Sequence, residues 1–204
     1  TIEGFYTSLN DAFIIVDGGT DHAAPQNSFL LKTNGSAAMV SGVSLESRFD
    51  YIDMIELQAG VTLQKSMYSD PVQWSADAPA EKKFLRTPDI YGFMFLKWEP
   101  RYDFNLSLTG LFTGPMDVPH LAGADNLEFD RLEKSPLFFD MNLRLGYTFY
   151  KSPFGDAIEL FAGVKNLLHH YQKDFDRGPL RDSNYIYGPA APRTVFAGFR
   201  INPL

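Results

Sequence analysis

The residues with the greatest chemical potential lie in a polar segment near the end of the chain. Leu168–Arg193 is rich in Gly, Pro and charge and separates two short alternating segments. Its carboxylates and guanidinium groups suit an ion-pair cluster, and its tyrosine rings suit stacking on a ligand. The same residues also suit a purely structural role, in which the charges stiffen the segment. The candidate ligand-binding residues are Tyr171, Asp174, Asp176, Arg177, Arg181, Asp182, Tyr185 and Tyr187.

Histidines offer a second chemistry, metal binding. His169 and His170 are adjacent, and neighbouring side chains on a strand point to opposite faces. A pair of ligands to one metal would instead need i, i+2 spacing on a strand or i, i+4 spacing on a helix. The sequence therefore predicts no metal site. His22 and His120 fall in predicted loops, where we expect them at the surface.

The sequence shows no recognisable catalytic motif. The chain contains no G-x-S-x-G, no H-E-x-x-H and no phosphate-binding glycine loop. It has no cysteine, which excludes disulfides, zinc–thiolate sites and thiol catalysis. Glutamates on polar strand faces resemble a catalytic set, but basic residues on the same faces favour ion-pair networks. The two sets are Glu46, Glu56 and Glu159, and Arg48, Arg144 and Lys165. We expect neither an enzyme nor a cofactor.

Composition narrows the class of protein further. The 204 residues include 18 basic and 25 acidic ones, for a net charge of −7, which disfavours a nucleic-acid partner. Aromatic residues make up 15% of the chain, with 18 Phe and 10 Tyr, and these residues favour strands and wet interfaces. No apolar run reaches the roughly 18 residues of a membrane-spanning helix. Spanning β-strands remain possible, because they need only about 9–11 residues.

The elements that must position these residues are strands, because the apolar pattern repeats every second residue. In MNLRLGYTF, for example, Leu143, Leu145 and Tyr147 share one face, and Asn142 and Arg144 share the other. The pattern predicts eight strands, with an irregularity at Asn10-Asp11. These are about Gly4–Val16, Ala38–Asp50, Met54–Ser66, Pro88–Trp98, Tyr102–Thr113, Leu137–Tyr150, Ala157–Leu167 and Thr194–Asn202.

The connections alternate between long and short. Long ones are predicted at Asp17–Ala37, Met67–Thr87, Gly114–Pro136 and Leu168–Arg193, and short ones at Tyr51–Asp53, Glu99–Arg101 and Lys151–Asp156. Outer-membrane barrels have this asymmetry, with short periplasmic turns and long outer loops. Aromatic residues flank all three short turns, as in an interfacial girdle. They are Phe49, Tyr51, Trp98, Tyr102, Phe104, Tyr147, Phe149, Tyr150 and Phe154.

Four short motifs stand out in the sequence: VKNLLHHY at Val164–Tyr171, GPAAPRT at Gly188–Thr194, GFYTSLNDAF and GVSLE. Together they resemble the C-terminal part of a TonB-dependent outer-membrane receptor. Val164–Tyr171 is similar to the V-x-N-L-F-x-x-Y end of the penultimate strand, with Leu168 in place of Phe. Gly188–Thr194 is similar to the G-x-P-R-T run before the last strand, with two alanines inserted. GFYTSLNDAF resembles the F-Y-x-x-x-x-D-x-I strand, and GVSLE resembles G-V-E-L-E. The chain ends on Ile-Asn-Pro-Leu rather than on the usual aromatic residue.

The resemblance implies an all-β, antiparallel, up-and-down transmembrane barrel. Residues 1–204 would supply about eight of 22 strands, the C-terminal part of the barrel, and the plug domain would be absent from this chain. The implied function is TonB-coupled import of a siderophore-iron complex, cobalamin or an oligosaccharide across the outer membrane of a Gram-negative bacterium. The implied partners are the rest of the barrel and its plug, the TonB complex, outer-membrane lipid and a surface lipoprotein.

Two other interpretations fit the alternation. One is a complete eight-stranded outer-membrane protein with an adhesive or structural role. The other is a soluble, calycin-like carrier with an apolar interior. Alternation alone does not say which face of the sheet is outside, so the sequence leaves the three open.

Overall fold

The computed structural model describes residues 1–21, 24–75, 77–123, 127–150 and 157–202, and all its regular elements are β-strands. In chain order they are β1 Ile2–Leu9, β2 Phe13–Asp21, β3 Ala24–Asn34, β4 Ala38–Tyr51, β5 Ile55–Val72, β6 Glu81–Lys83, β7 Ile90–Arg101, β8 Phe104–Thr113, β9 Asp117–His120, β10 Arg131–Lys134, β11 Phe138–Phe149, β12 Ala157–Lys165 and β13 Thr194–Asn202.

Eight of these strands form one antiparallel sheet in the order β1-β4-β5-β7-β8-β11-β12-β13, with β6 added beside β5. Each strand pairs with the next member of that order, which is the up-and-down arrangement. The predicted eight-stranded, all-β fold is confirmed. Among the described residues β1 and β13 do not pair with each other, so the sheet has two open edges.

The first predicted strand, Gly4–Val16, is wrong. The chain leaves the main sheet after β1, turns at Asp11 with a φ of 54°, and enters β2 in a separate sheet. Asn10-Asp11 is therefore a break between two strands and not a bulge within one. A left-handed turn residue ends the pairing, because Asp tolerates this conformation better than most residues do.

Three of the four predicted long loops contain strands. The segment Asp17–Ala37 is mostly the β2–β3 hairpin, and Gly114–Pro136 contains the hairpin β9–β10. In Met67–Thr87, β5 continues to Val72 and β6 pairs with it. These short strands were not predicted, because their sequences are polar or contain Pro and so lack the usual pattern of a strand. The first predicted short turn lies between β4 and β5, as expected. The second prediction, Glu99–Arg101, is wrong, because these residues belong to β7 and the chain turns at Tyr102-Asp103. The third, Lys151–Asp156 with Phe154, lies outside the described residues.

The register gives the main sheet one apolar face, which we call the outward face, and an opposite face, which we call the inward face. Leu57 pairs with Phe49 and Leu96, and Leu145 pairs with Leu106 and Ala162. These side chains stay uncovered although they are apolar: Leu57 is 38% exposed and Leu145 39% exposed. A buried apolar cluster, Met116, Val118 and Tyr185, is formed instead by the start of the β9–β10 hairpin and the last loop. The sheet itself therefore has no dry core on this face.

The opposite, inward face carries the charged residues. Arg144 Nη2 lies 2.6 Å from Glu159 Oε1, and Arg144 Nη1 donates to Asn105 Oδ1 at 2.9 Å. Arg48 is ion-paired with Asp50 at 2.9 Å and with Glu56 at 3.2 Å. The charges of the inward face thus neutralise one another within the sheet, as the mixed signs in the sequence predict.

The inward face also carries phenylalanines, each opposite a glycine. The register pairs Phe5 with Gly42, Phe93 with Gly60, Phe161 with Gly198, and Phe196 with Gly163. In all four pairs the ring lies over the position where a glycine side chain would begin. Glycine weakens a strand, and an aromatic ring across the ladder covers the exposed backbone. This face is therefore a mixed polar and aromatic wall.

Candidate functional site

The candidate ligand-binding loop, Leu168–Arg193, begins at a buried asparagine that ends β12. Asn166 has a φ of 49° and is 4% exposed. Its side-chain amide donates to His170 O at 3.1 Å and to Ala191 O at 2.9 Å, and its Oδ1 accepts from His170 N. Its backbone N–H donates to Asn142 Oδ1. The Asn166 side chain thus joins the start of the loop to its end, and the Asn166 backbone joins both to the sheet.

Gln172 is the second anchor of the loop and is 1% exposed. Its Nε2 donates to Tyr185 O at 3.0 Å, and its Oε1 accepts from Tyr187 N at 2.9 Å. Its backbone N–H donates to Pro189 O at 2.9 Å. The side-chain amide of Gln172 thus uses both its nitrogen and its oxygen to hold two distant parts of the loop together. Its loss would be unfavourable, because buried backbone groups would be left without hydrogen-bond partners.

His120, at the end of β9, connects the β9–β10 hairpin to this loop. Its ring stacks on Tyr185 with centroids 3.7 Å apart and an interplanar angle of 6°. Its Nε2 lies 3.0 Å from both carboxylate oxygens of Asp176. The His120 side chain is 8% exposed and that of Asp176 is 3% exposed. The prediction of a surface His120 is wrong, whereas His22 lies outside the described residues.

Further contacts fasten the loop to its neighbours. Asp182 accepts from Leu121 N at 3.0 Å, across the gap to the β9–β10 hairpin. Arg86, between β6 and β7, donates to Ile186 O at 3.0 Å and also to Asn184 O. The segment after β6, the hairpin and the last loop are therefore tied into one assembly.

The three carboxylates of the candidate set are used as acceptors inside this assembly. Asp174 accepts from the hydroxyls of Tyr185 and Tyr187, at 3.1 and 2.5 Å. Asp176 accepts from His120 and from Asp182 N, and Asp182 accepts from Leu121 N and Asn184 N. Burial, followed by the Asp174 carboxylate, raises the pKa of Tyr185 to about 12 and raises the pKa of Tyr187 further. Both tyrosines are neutral donors at neutral pH.

The two arginines of the candidate set lie at the surface of the loop and not within this hydrogen-bond network. Arg177 and Arg181 are exposed, and the Arg181 guanidinium donates to Gly178 O at 3.1 Å within its own turn. Tyr171 is half-buried and lies near the ring of His169 and the amine of Lys173. The predicted cluster of Asp–Arg ion pairs does not form among these residues. Tyrosine and histidine side chains form the hydrogen bonds to the carboxylates of Asp174 and Asp176, and the two arginine side chains are exposed to solvent.

A cavity of about 570 Å³ lies under the end of the loop, against the inward face of the sheet. Its floor includes Asn142, Arg144 and Lys165, and Pro189–Pro192 lines it on the loop side. Phe138 is covered from the same side, because its ring lies 5.9 Å from that of Tyr187. The loop therefore folds over the inward face.

Metal binding finds no support among the described residues, because no three His, Asp or Glu side chains there are grouped as metal ligands require. His169 and His170 follow the end of β12, are exposed, and serve the loop backbone. His169 Nδ1 accepts from Arg193 N at 3.1 Å. No helix among the described residues is long and apolar enough to cross a membrane.

Sequence reasoning missed the residues that hold the loop: Asn166, Gln172, His120 and Arg86. Asn166 stands in the V-x-N-L motif, and an Asn at a strand end is a common left-handed residue, so this signal was available. Gln172 and Arg86 carry no such signal, because their partners are backbone carbonyl and amide groups. Only the folded chain brings those groups near.

Comparison with known proteins supports this architecture. No protein-family model matches the chain, and no curated protein matches its sequence. Among solved structures, the ferric-catecholate import receptor Fiu of Escherichia coli K12, in its closed form, aligns with 97% of this chain at a TM-score of 0.61 and 14% identity. The copper transporter OprC aligns with 97% at a TM-score of 0.60 and 15% identity.

The likeness defines a fold class: the chain is similar to the barrels of TonB-dependent receptors. It spans 24% of the Fiu chain and 28% of the OprC chain. At sequence identities of 14% and 15%, the comparison supports the fold but does not identify a ligand.

Proposed function

We propose that the chain is a wall segment of a TonB-dependent outer-membrane transporter that imports a scarce nutrient. The observation that carries this proposal is the two-sided sheet, apolar and uncovered outside, polar and ion-paired inside. The surface area supports it: the chain exposes 13618 Å², whereas a folded monomer of this mass exposes roughly 9,600 Å². Lipid and the remainder of a larger barrel would cover the excess.

The width of the apolar stripe also fits a membrane. On β5 the outward residues run from Ile55 through Leu57 and Val61 to Leu63, and Lys65 follows them on that face. Residues 55–63 make this stripe nine residues long, which matches the roughly 9–11 residues of a tilted membrane-spanning strand. Beyond it β5 continues to Val72 and would project on the loop side.

The last loop is the proposed ligand-binding element. Arg177, Arg181 and Tyr171 would meet the ligand, while Asp174, Asp176, Asp182, Tyr185 and Tyr187 hold the shape of the loop. Siderophore-iron, cobalamin and oligosaccharide remain the candidate ligands. The partners would be the rest of the barrel with its plug, the TonB complex, outer-membrane lipid and a surface lipoprotein, in a Gram-negative outer membrane.

The test is uptake by cells that carry or lack the full-length gene, with radiolabelled ferric siderophores, cobalamin and oligosaccharides offered separately. The proposal predicts uptake of one ligand class that requires both this gene and TonB. In the same cells, Arg177→Ala with Arg181→Ala would lower that uptake at least tenfold, and the matched change Lys173→Ala would not. Protein found in the soluble fraction, or uptake unchanged without TonB, would contradict the proposal.

The two alternatives are less well supported. A complete eight-stranded barrel needs β1 to pair with β13, and these are opposite edges among the described residues. A soluble carrier needs its apolar face packed in an interior, whereas Val43 is 50% exposed and Leu63 57% exposed. Purification settles this point: the transporter requires detergent or lipid, and a carrier is monodisperse without either.

A further inference from the structure

The cavity between the inward face of the sheet and the last loop has apolar rings on two sides. Phe196 of β13, whose ring covers Gly163, lines it from the sheet, and Pro189 and Pro192 line it from the loop. Its volume of about 570 Å³ lies within the roughly 300–1,000 Å³ that is usual for small-molecule sites. The cavity therefore offers apolar surfaces to a compact ligand of moderate size.

The polar part of the lining can both donate and accept hydrogen bonds. Ser107 and Thr109 contribute hydroxyl groups from β8, and Asn142 contributes a side-chain amide from β11. A hydroxyl group has one donor and two acceptor sites, and an amide has two donors and one acceptor oxygen. A ligand that carries several hydroxyl groups matches such a lining, because each of them also donates and accepts.

The charges of the lining are balanced. Lys165 contributes a positive charge and Asp140 a negative one. Arg144 also lines the cavity, but its guanidinium is paired with Glu159 at 2.6 Å. A ligand of either sign would be attracted by one of the two remaining charges and repelled by the other. The lining therefore favours a neutral polar ligand over a highly charged one.

We propose that this cavity binds a neutral saccharide, with about one or two of its sugar rings inside. A pyranose ring has apolar C–H faces, which suit Phe196 and the two prolines, and hydroxyl groups around its edge, which suit the polar lining. Cobalamin is too large to enter a cavity of this volume whole. The choice of ligand rests on the proposed transport function, of which it names the substrate class, oligosaccharides.

Isothermal titration calorimetry of the purified full-length protein tests the proposal, with maltose, cellobiose, lactose and sucrose as separate probes. The detergent is a polyoxyethylene ether, because maltoside and glucoside detergents would themselves occupy a saccharide site. At least one disaccharide should bind saturably, and the ferric complex of catechol at the same concentration should not displace it.

Two cavity variants locate the binding. Phe196→Ala removes an apolar wall and should weaken binding of that disaccharide about tenfold. Phe199→Ala is the matched control and should not change the affinity, because Phe199 lies on the same strand but on the outward face and is 68% exposed. Thr109→Val keeps the shape of the side chain and removes its hydroxyl, so it should weaken binding about fivefold without lowering the unfolding temperature.

Three results would each overturn the proposal: no saturable binding of any of the four disaccharides, displacement of a bound disaccharide by the ferric complex, or wild-type affinity in either cavity variant. Disaccharide binding by a protein that cells do not need for uptake would support this site and contradict the transport function. TonB-dependent uptake of a siderophore or cobalamin, without disaccharide binding, would overturn this site alone.

Discussion

Phe161 lies directly opposite Gly198 in the ladder between β12 and β13, and its ring occupies the space above the glycine. A Cβ at position 198 would lie 2.6 Å from Phe161 Cζ. Two residues along, the arrangement is reversed, with Phe196 on β13 opposite Gly163 on β12. The two rings are 6.4 Å apart. Ring and glycine are therefore a matched unit that packs the inward face at the end of the sheet.

Gly198→Ala should destabilise the protein by about 1–3 kcal/mol, because the added methyl group forces the Phe161 ring from its place. Thermal unfolding of the full-length protein in detergent measures the effect. Gly4→Ala is the control, because nothing lies within 4 Å of a Cβ built there. Adding Phe161→Leu to Gly198→Ala should recover part of the loss. Equal unfolding temperatures for the two glycine variants would contradict the packing account.

Glu159→Gln should destabilise the inward face by about 2 kcal/mol. The Glu159 side chain is 7% exposed and faces Arg144 at 2.6 Å, and removing the charge leaves a partly buried guanidinium without its counterion. Breaking a fully buried pair costs about 3–5 kcal/mol, and we expect less here because Arg144 is 29% exposed.

Arg48→Ala is the control for that change. Arg48 is 59% exposed in its pairs with Asp50 and Glu56, so solvent screens these pairs and its loss should change the free energy of unfolding less than Glu159→Gln does. Denaturant unfolding of both variants decides the matter. A larger loss for Arg48→Ala than for Glu159→Gln would contradict the greater burial of the Arg144–Glu159 pair.

Gln172→Ala should loosen the last loop while the sheet stays intact. The change leaves the buried groups Tyr185 O and Tyr187 N without a hydrogen-bond partner, which should lower the free energy of unfolding by about 2 kcal/mol. Hydrogen exchange at residues 185–187 should accelerate at least tenfold, and exchange in β5 should not change. The adjacent exposed Lys173→Ala is the control, and faster exchange in that variant would point to general fraying of the loop.

Alkaline pH should open the same loop. Burial and the Asp174 carboxylate raise the pKa of Tyr185 from its ordinary value of 10.0 to about 12, so the neutral phenol stabilises the fold. That contribution is complete below pH 10 and disappears as the pH rises through about 12. Absorbance of tyrosinate at alkaline pH, compared between wild type and Tyr185→Phe, should show one tyrosine that ionises near pH 12. Its ionisation near pH 10 would place Tyr185 in solvent.

Most of the main sheet could be predicted from the alternation of apolar and polar residues. In a sheet with one apolar face, apolar side chains recur at every second residue of each strand. Leu143 and Leu145 were assigned to one face and Arg144 to the other from spacing alone, and the register confirms it. The failures occur in short strands with polar residues, where the alternation is too brief to recognise. The β9–β10 hairpin depends on partners eleven or more residues away and includes Pro119, which argues against a strand.

The loop was harder to predict than the sheet, because its contacts join segments that are distant in the sequence. His120 and Asp176 are 56 residues apart, and Arg86 is about 100 residues from the carbonyls it binds. Composition suggested Asp–Arg pairs within the loop. The folded chain instead uses the carboxylates on tyrosine, histidine and backbone donors, which no local spacing indicates.

We propose that the Leu57 and Leu145 face of the sheet meets lipid while the opposite, inward face is turned away from it. Because these 204 residues contain no cysteine, spin labels can be attached at Leu57→Cys, Leu145→Cys and the inward Gln58→Cys in the full-length protein. Paramagnetic-collision measurements in bilayers should show high oxygen accessibility and low accessibility to a water-soluble nickel chelate at positions 57 and 145, with lower oxygen accessibility at 58. Oxygen accessibility that is higher at 58 than at 57 and 145 would contradict the account.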